Sequence, residues 1–301
     1  MKKLSVLFFF AAILLILTCL SCRKSNDPIM VTASESIIST APLWLNYQCA
    51  NAPDYGDSIL YLQPVKTDYI VSPVNRTALG KGKFLSWPEG LVIDSASGAI
   101  NFSASETGMR YIIGFIKQST TDTCVSNLIL AGITYVDSIY ILSRNDTLAV
   151  PYYNANASTP VVCDASDDND YPGTSGHGDG NDKCIFDGTD KHGNKGKANK
   201  QNVRVRTISG IINLKATLAA GAFGASPADG TAVAVPVVYS LSDKSKKATQ
   251  EIDVQLLYYN RKADIPASMV NRVNANRAAF FQNTAILGSP RPPIIIVTRF
   301  E

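Results

Sequence analysis

The chain of 301 residues has two histidines, His177 and His192, and five glutamates, Glu35, Glu89, Glu106, Glu251 and Glu301. Each scarcity removes a class of chemistry. A Ser-His-Asp hydrolase holds its histidine rigidly between nucleophile and carboxylate. Both histidines here sit among glycines in the least apolar part of the chain, and no G-x-S-x-G stretch occurs. A glycosidase needs two carboxyl groups at a set separation across the sugar. Glu89 and Asp94 fall instead in a turn signature that already accounts for them. A basic excess is missing as well. With 28 Lys and Arg against 25 Asp and Glu, the chain lacks the strongly positive face that grips phosphate backbones, which excludes nucleic acid as a partner. Beyond the N-terminal stretch, no apolar run reaches the ~18 residues from which a spanning helix is read. No enzyme activity and no cofactor are expected from this inventory.

The N-terminus does carry a signal. Lys2 and Lys3 precede an apolar run from Leu4 to Thr18, interrupted only by Ser5. A charged n-region followed by an h-region marks export, and roughly 15 residues fall short of the ~20 that span a bilayer. The run ends in "CLSC" at Cys22. This resembles the lipobox of bacterial lipoproteins, in which a small residue precedes a cysteine that becomes lipidated and N-terminal. Ser21 takes the small position, and Cys19 stands where the family usually has Leu. The resemblance implies a lipoprotein signal peptide over residues 1–21 and palmitate on Cys22. It also implies a polar tether over 22–40 and residence in the cell envelope at the outer membrane. Several acyl chains would give stable anchoring where one does not. Cleavage removes Lys2 and Lys3 and leaves 26 basic against 25 acidic residues.

Four cysteines then remain: Cys49, Cys124, Cys163 and Cys184. An even number in an exported chain predicts disulfides. Three pairings are possible. Cys49–Cys124 with Cys163–Cys184 is favoured because each pair then lies within one apparent unit.

From residue 41 to 142, short β-branched and aromatic runs recur between turn signals, among them "SILYLQPV", "GKFLSW", "RYIIGFI" and "NLILAGITYV". That is the pattern of a β-sandwich. In Pro88 to Ile116, Leu91 and Ile93 lie on one face of a strand, and Asp94 and Ser95 offer side-chain turn bonds. Gly98 offers a positive φ, Ile100 and Phe102 resume the alternation, and Tyr111, Ile113 and Phe115 line a third strand. Pro88, Gly90, Leu91, Ile93, Asp94, Ser97, Gly98, Ile100, Gly108 and Tyr111 resemble the hallmark of the Ig-like, cadherin-like repeats of bacterial surface proteins. Phe102, Ser103 and Ala104 replace the Gly-Thr-Pro usual there. The resemblance implies an Ig-like sandwich used as a spacer, adhesive module or glycan-facing accessory.

Residues 143–202 read as a connecting segment. Asp164 to Cys184 holds six aspartates, and Asp187 to Asn202 is rich in Gly, Asn, Asp and Lys and poor in aliphatics, so neither is expected to order itself. Asp168, Asp170, Asp179 and Asp182 come nearest to a calcium set. The D-x-[DN]-x-[DN]-G spacing with a late Glu is missing, so a disulfide-closed acidic loop without metal is expected.

Residues 203–301 predict an α+β domain: a hairpin of "AVAVPVVYSL" and "EIDVQLLYY", a helix after Asp264, and a closing strand "PPIIIVTRF". Pro236 predicts a free edge or a bulge in its strand. Asp264 or Ser268 is expected to cap the helix, whose apolar face carries Met269, Val270, Val273, Phe280 and Phe281, with Arg277 inside that arc. Of the aromatic pairs Tyr152–Tyr153, Tyr258–Tyr259 and Trp44–Trp87, each tyrosine pair is expected to turn one ring inward. The fold class expected is therefore mainly β, an N-terminal Ig-like β-sandwich followed by an α+β domain with an antiparallel sheet and one helix. The function expected is non-catalytic binding, adhesion or scaffolding at a membrane, with a glycan or envelope protein as partner. The alternative is a glycan-processing enzyme or its carbohydrate-binding accessory subunit.

Overall fold

The computed structural model describes residues 49, 51–118, 120–163, 184–188, 197–282 and 292–301. The described residues belong to one compact unit within Ser39–Glu301. The described part is mainly β. In its first lobe lie β1 (Ile59–Leu60), β2 (Ile70–Val71), the single turn α1 (Arg76–Leu79), β3 (Gly82–Trp87), β4 (Ile100–Asn101), β5 (Met109–Lys117) and β6 (Thr123–Leu130). The second lobe begins with β7 (Ile133–Thr134), β8 (Ser138–Ile141), β9 (Leu148–Ala149), β10 (Tyr152–Tyr153), β11 (Ile185–Phe186) and β12 (Ile212–Asn213). It continues with α2 (Leu214–Ala219), β13 (Thr231–Ser240), β14 (Gln250–Arg261), α3 (Ala267–Phe281) and β15 (Ile294–Phe300).

Alternation builds the first lobe. A four-stranded sheet in the order β1-β6-β5-β3 turns Tyr111, Ile113 and Phe115 of β5, with Leu128 and Leu130 of β6, into a core shared with Ile100 and Phe102. Each such side chain contributes roughly 1.5–3 kcal/mol when fully buried. The turn before β4 forms as its residues predict. The Asp94 carboxylate accepts from the backbone N–H of Ser97 at 2.6 Å and of Ala96 at 3.1 Å, and from the Ser97 hydroxyl at 2.7 Å. The Ser97 hydroxyl and N–H hold that carboxyl below its usual range. Gly98 has φ +76°, and a Cβ there would meet the Phe84 ring at 2.6 Å. Both conformation and space require glycine. Tyr55 locks the turn from outside by donating its hydroxyl to the Gly98 carbonyl at 2.7 Å.

The second lobe is organised by a five-stranded sheet, β11-β13-β14-β15-β8. Along β14, Ile252, Val254, Leu256 and Tyr258 enter one core, while Leu257 and Tyr259 enter another with Val273 of α3. β15 divides likewise, Ile295 and Val297 against Ile294 and Ile296. A strand covered on both faces reads as an unbroken apolar run, as "IIIV" does. The sheet is mixed, not antiparallel as expected: β13 and β14 pair antiparallel, but β14–β15 and β15–β8 are parallel. The reason is α3, which returns the chain to the end where β14 began, so that β15 must run alongside it. β8 precedes residue 142 and still pairs at the far edge of this sheet. In the first lobe β1 and β6 are also parallel.

The cap of α3 also differs from expectation. Pro266 stands at the N-cap with no side-chain cap, and the Asp264 carboxylate instead accepts from Arg261 N–H at 3.1 Å in the turn before it. Pro236 pairs with Asp253, and the register across it is continuous, so there is no bulge. β11 reaches β13 only at Tyr239 and Ser240, which leaves Pro236 on an edge that no described strand covers.

Two features join the lobes. The Tyr239 hydroxyl bonds the Thr107 hydroxyl at 2.7 Å, accepts from Ile133 N–H at 3.2 Å and donates to the Gln250 side-chain carbonyl at 3.2 Å. Gly132 lies so close that a Cβ would meet this hydroxyl at 2.6 Å. The turn between β13 and β14 also places Ala248 inside the first lobe's core, and Gln63 donates to the Lys244 carbonyl at 3.0 Å.

Candidate functional site

The base of the acidic loop is the most highly organised polar site among the described residues. Cys163 and Cys184 are bridged, with Cα atoms 5.6 Å apart, and Cys49 and Cys124 are bridged at 5.3 Å. These are the two pairs favoured from the sequence. Both members of the second bridge are buried. β11 follows directly, and its Phe186 stacks on Tyr239 at 5.9 Å. The chain then turns at Asp187, whose φ is +51° and whose side chain is buried. Its carboxylate accepts from Ala198 N–H at 3.0 Å, Asn199 N–H at 2.8 Å and the Asn199 amide at 2.8 Å. The same amide nitrogen donates to the Val205 carbonyl at 2.9 Å. A carboxylate on backbone N–H groups at the start of a helical turn, here Asn199–Gln201, is a strong charge-assisted arrangement.

For its two ends, residues 187–188 and 197–202, this corrects the expectation that Asp187 to Asn202 cannot order itself; the stretch between lies outside the described residues. Composition counts aliphatics. Its far end instead places Ala198 in the core, with Val203 just beyond it, and gathers backbone N–H groups and the Asn199 amide nitrogen around one aspartate. Tyr135 closes the floor by donating to the Gly210 carbonyl at 2.5 Å, and burial, then neighbouring Tyr153, pushes its phenol well above the ordinary value. Asp187 directs its oxygens at two main-chain N–H groups and the Asn199 amide, a clasp that holds the loop's ends together.

A second polar grouping joins α3 to the sheet. The buried Asp137 carboxylate accepts from the Asn276 amide at 2.8 Å and from Ile294 N–H at 2.9 Å. Beside it Arg277 donates to the Ser138 hydroxyl at 2.7 Å and lies 5.2 Å from the centre of the Phe281 ring. Arg277 therefore leaves the apolar arc for the surface, as an amphipathic side chain does at a core edge. Tyr152 meets Phe280 at 5.2 Å and Phe281 at 5.7 Å in edge-on contacts. Nearby, burial, followed by Asp146, pushes the Tyr140 phenol up to about 12. Burial raises Asp146 while Arg277 opposes the rise.

Tyr153 turns inward and Tyr152 stays half-buried, as alternation predicts. Tyr258 and Tyr259 are both buried, because α3 covers the face that would otherwise meet water. Glu89 and Glu251 are exposed, and Glu301 pairs with Arg144 at the surface. Cys22, Trp44, Asp168, Asp170, Asp179, Asp182, His177 and His192 lie outside the described residues. Among the described residues, no three of His, Cys, Asp and Glu gather as metal ligands would. Asp137, Asp187 and Asn199 were missed by sequence reasoning. Compared with known proteins, the chain matches no family model and no curated protein.

Proposed function

We propose that the chain is a lipid-anchored cell-envelope protein of non-catalytic binding, adhesion or scaffold type, whose first lobe is an Ig-like repeat. One observation carries the non-catalytic part. The two buried carboxylates, Asp137 and Asp187, are spent on amide donors that hold loops and strands together. The pattern from Lys2 to Cys22 supports the anchor. The four-stranded sheet and the β2–β4 ladder share one core, and the Asp94–Gly98 turn has the geometry its motif requires, which supports the Ig-like assignment. Anchoring is tested by growing cells on radioactive palmitate. Label should enter the wild type and the Cys19→Ser variant and be absent from Cys22→Ser. Label retained in Cys22→Ser would refute the assigned anchor.

A second reading, a carbohydrate-binding accessory of a glycan-processing system, draws on Tyr152, Phe281 and Arg277 at the surface end of α3. A glycan array probed with the wild type and with Phe281→Ala separates the two readings. Binding that the substitution removes favours the second.

A further inference from the structure

We propose that the Cys49–Cys124 bridge is a tension strap, which takes the pull of the N-terminal tether past the first lobe's weak edge and delivers it to β6. The proposal rests on the anchoring reading above, because only a tethered chain is pulled at this end. Chain order alone would carry tension through Ala52 and Asp54, which are hydrogen-bonded to Asn75 and Val74, and on to β1, an edge strand of two residues paired only through Ile59↔Ile129 and Leu60↔Leu130. Such a short ladder peels open a pair at a time. Cys124 instead sits near the start of β6, a strand held to β5 over eight consecutive positions. The bridge joins positions 75 residues apart in sequence. Force entering at Cys49 crosses the sulfur atoms to Cys124 and continues along β6 into the second lobe. β1 to β5 become a closed side branch that is not stretched while the bridge holds.

The test is single-molecule stretching of the chain from Cys22 to Glu301, with handles at residues 22 and 301. The oxidised wild type is compared with a Cys49→Ser, Cys124→Ser double variant. The fully stretched variant should be longer by about 250 Å, the reach of 75 freed residues at ~3.4 Å each. Its first rupture should come at a lower force, with a short early step from β1. An equal first-rupture force in the two chains would overturn the proposal. If the double variant does not fold, a handle on Asp122, beside Cys124, decides the matter in the oxidised wild type. Pulling from Asp122 and from residue 22 should give the same rupture force, and clearly different forces would overturn it. None of these readings depends on acylation of Cys22, so the strap and the anchor can fail separately.

Discussion

The two lobes meet the same requirement, covering both faces of a sheet, in different ways. The second lobe covers its own: α3 lies on one face, and the chain from β7 to α2 lies on the other. The first has one face packed with its own side chains and takes the rest from elsewhere. It takes Ala248 from the β13–β14 turn and a hydrogen bond from Tyr239, and it closes on itself through the Cys49–Cys124 bridge. The difference teaches that the lobe carrying the Asp94–Gly98 turn is the dependent one. The apolar face of its sheet must be buried against other elements.

Breaking that dependence should have the largest effect where the first lobe is held covalently. In the chain-entropy model, removing Cys49–Cys124 releases a loop worth about 4 kcal/mol. Denaturant melts of the oxidised double Ser variant should show the first lobe failing before the second. A single shared transition at unchanged midpoint would place the lobes on equal footing. Next comes Asp187→Ala, which strands three buried donors, Ala198 N–H, Asn199 N–H and the Asn199 amide. The expected loss is about 3 kcal/mol, at ~1 kcal/mol or more per orphaned donor. It should be confined to the second lobe and read as faster hydrogen exchange at Ala198 and Val205.

Alkaline pH tests the buried phenols of the second lobe, while burial raises Tyr55 of the first in the same direction. Burial pushes Tyr140 and Tyr153 up to about 12 from an ordinary 10.0. The folded chain therefore keeps protons that the unfolded chain releases above pH ~10. This contribution is intact below pH 10 and is lost as pH rises towards 12, on the order of 2 kcal/mol for each tyrosine. Urea midpoints at pH 9 and 11, with tyrosinate absorbance followed in parallel, should show it. A midpoint that stays flat would mean that these phenols are open to water. The smallest effect is expected at the junction. Tyr239→Phe keeps the ring stacked on Phe186 and removes only the hydroxyl. A cost of about 1 kcal/mol, accompanied by the splitting of one calorimetric peak into two, would show that this hydroxyl couples the lobes.

How much was legible follows from the same contrast. The Asp94–Gly98 turn, the β13–β14 hairpin, α3 and both cysteine pairings could be read, because each depends on local chemistry or on spacing. The direction of β15 could not. "IIIV" is equally apolar whichever way it runs, and only the return through α3 makes it parallel. The Asp187 clasp was hidden because its partners, Ala198 and Asn199, lie across a polar stretch. Hydrogen bonds to main-chain N–H groups leave no compositional trace. The covering of Tyr259 by α3 is tertiary in the same sense.

The open side of β13 carries one more implication, for how copies behave when crowded. An uncovered strand with "TAVAV" along it is a template on which another strand can dock. Molecules confined to a surface meet far more often than molecules free in solution. Pro236 has no N–H to offer and sits near the middle of that rim. A visiting strand would find its row of donors interrupted after a few residues. Under the proposed anchoring, this one ring closed on its own nitrogen would keep neighbouring copies from knitting into a shared sheet along the edge that no described strand covers.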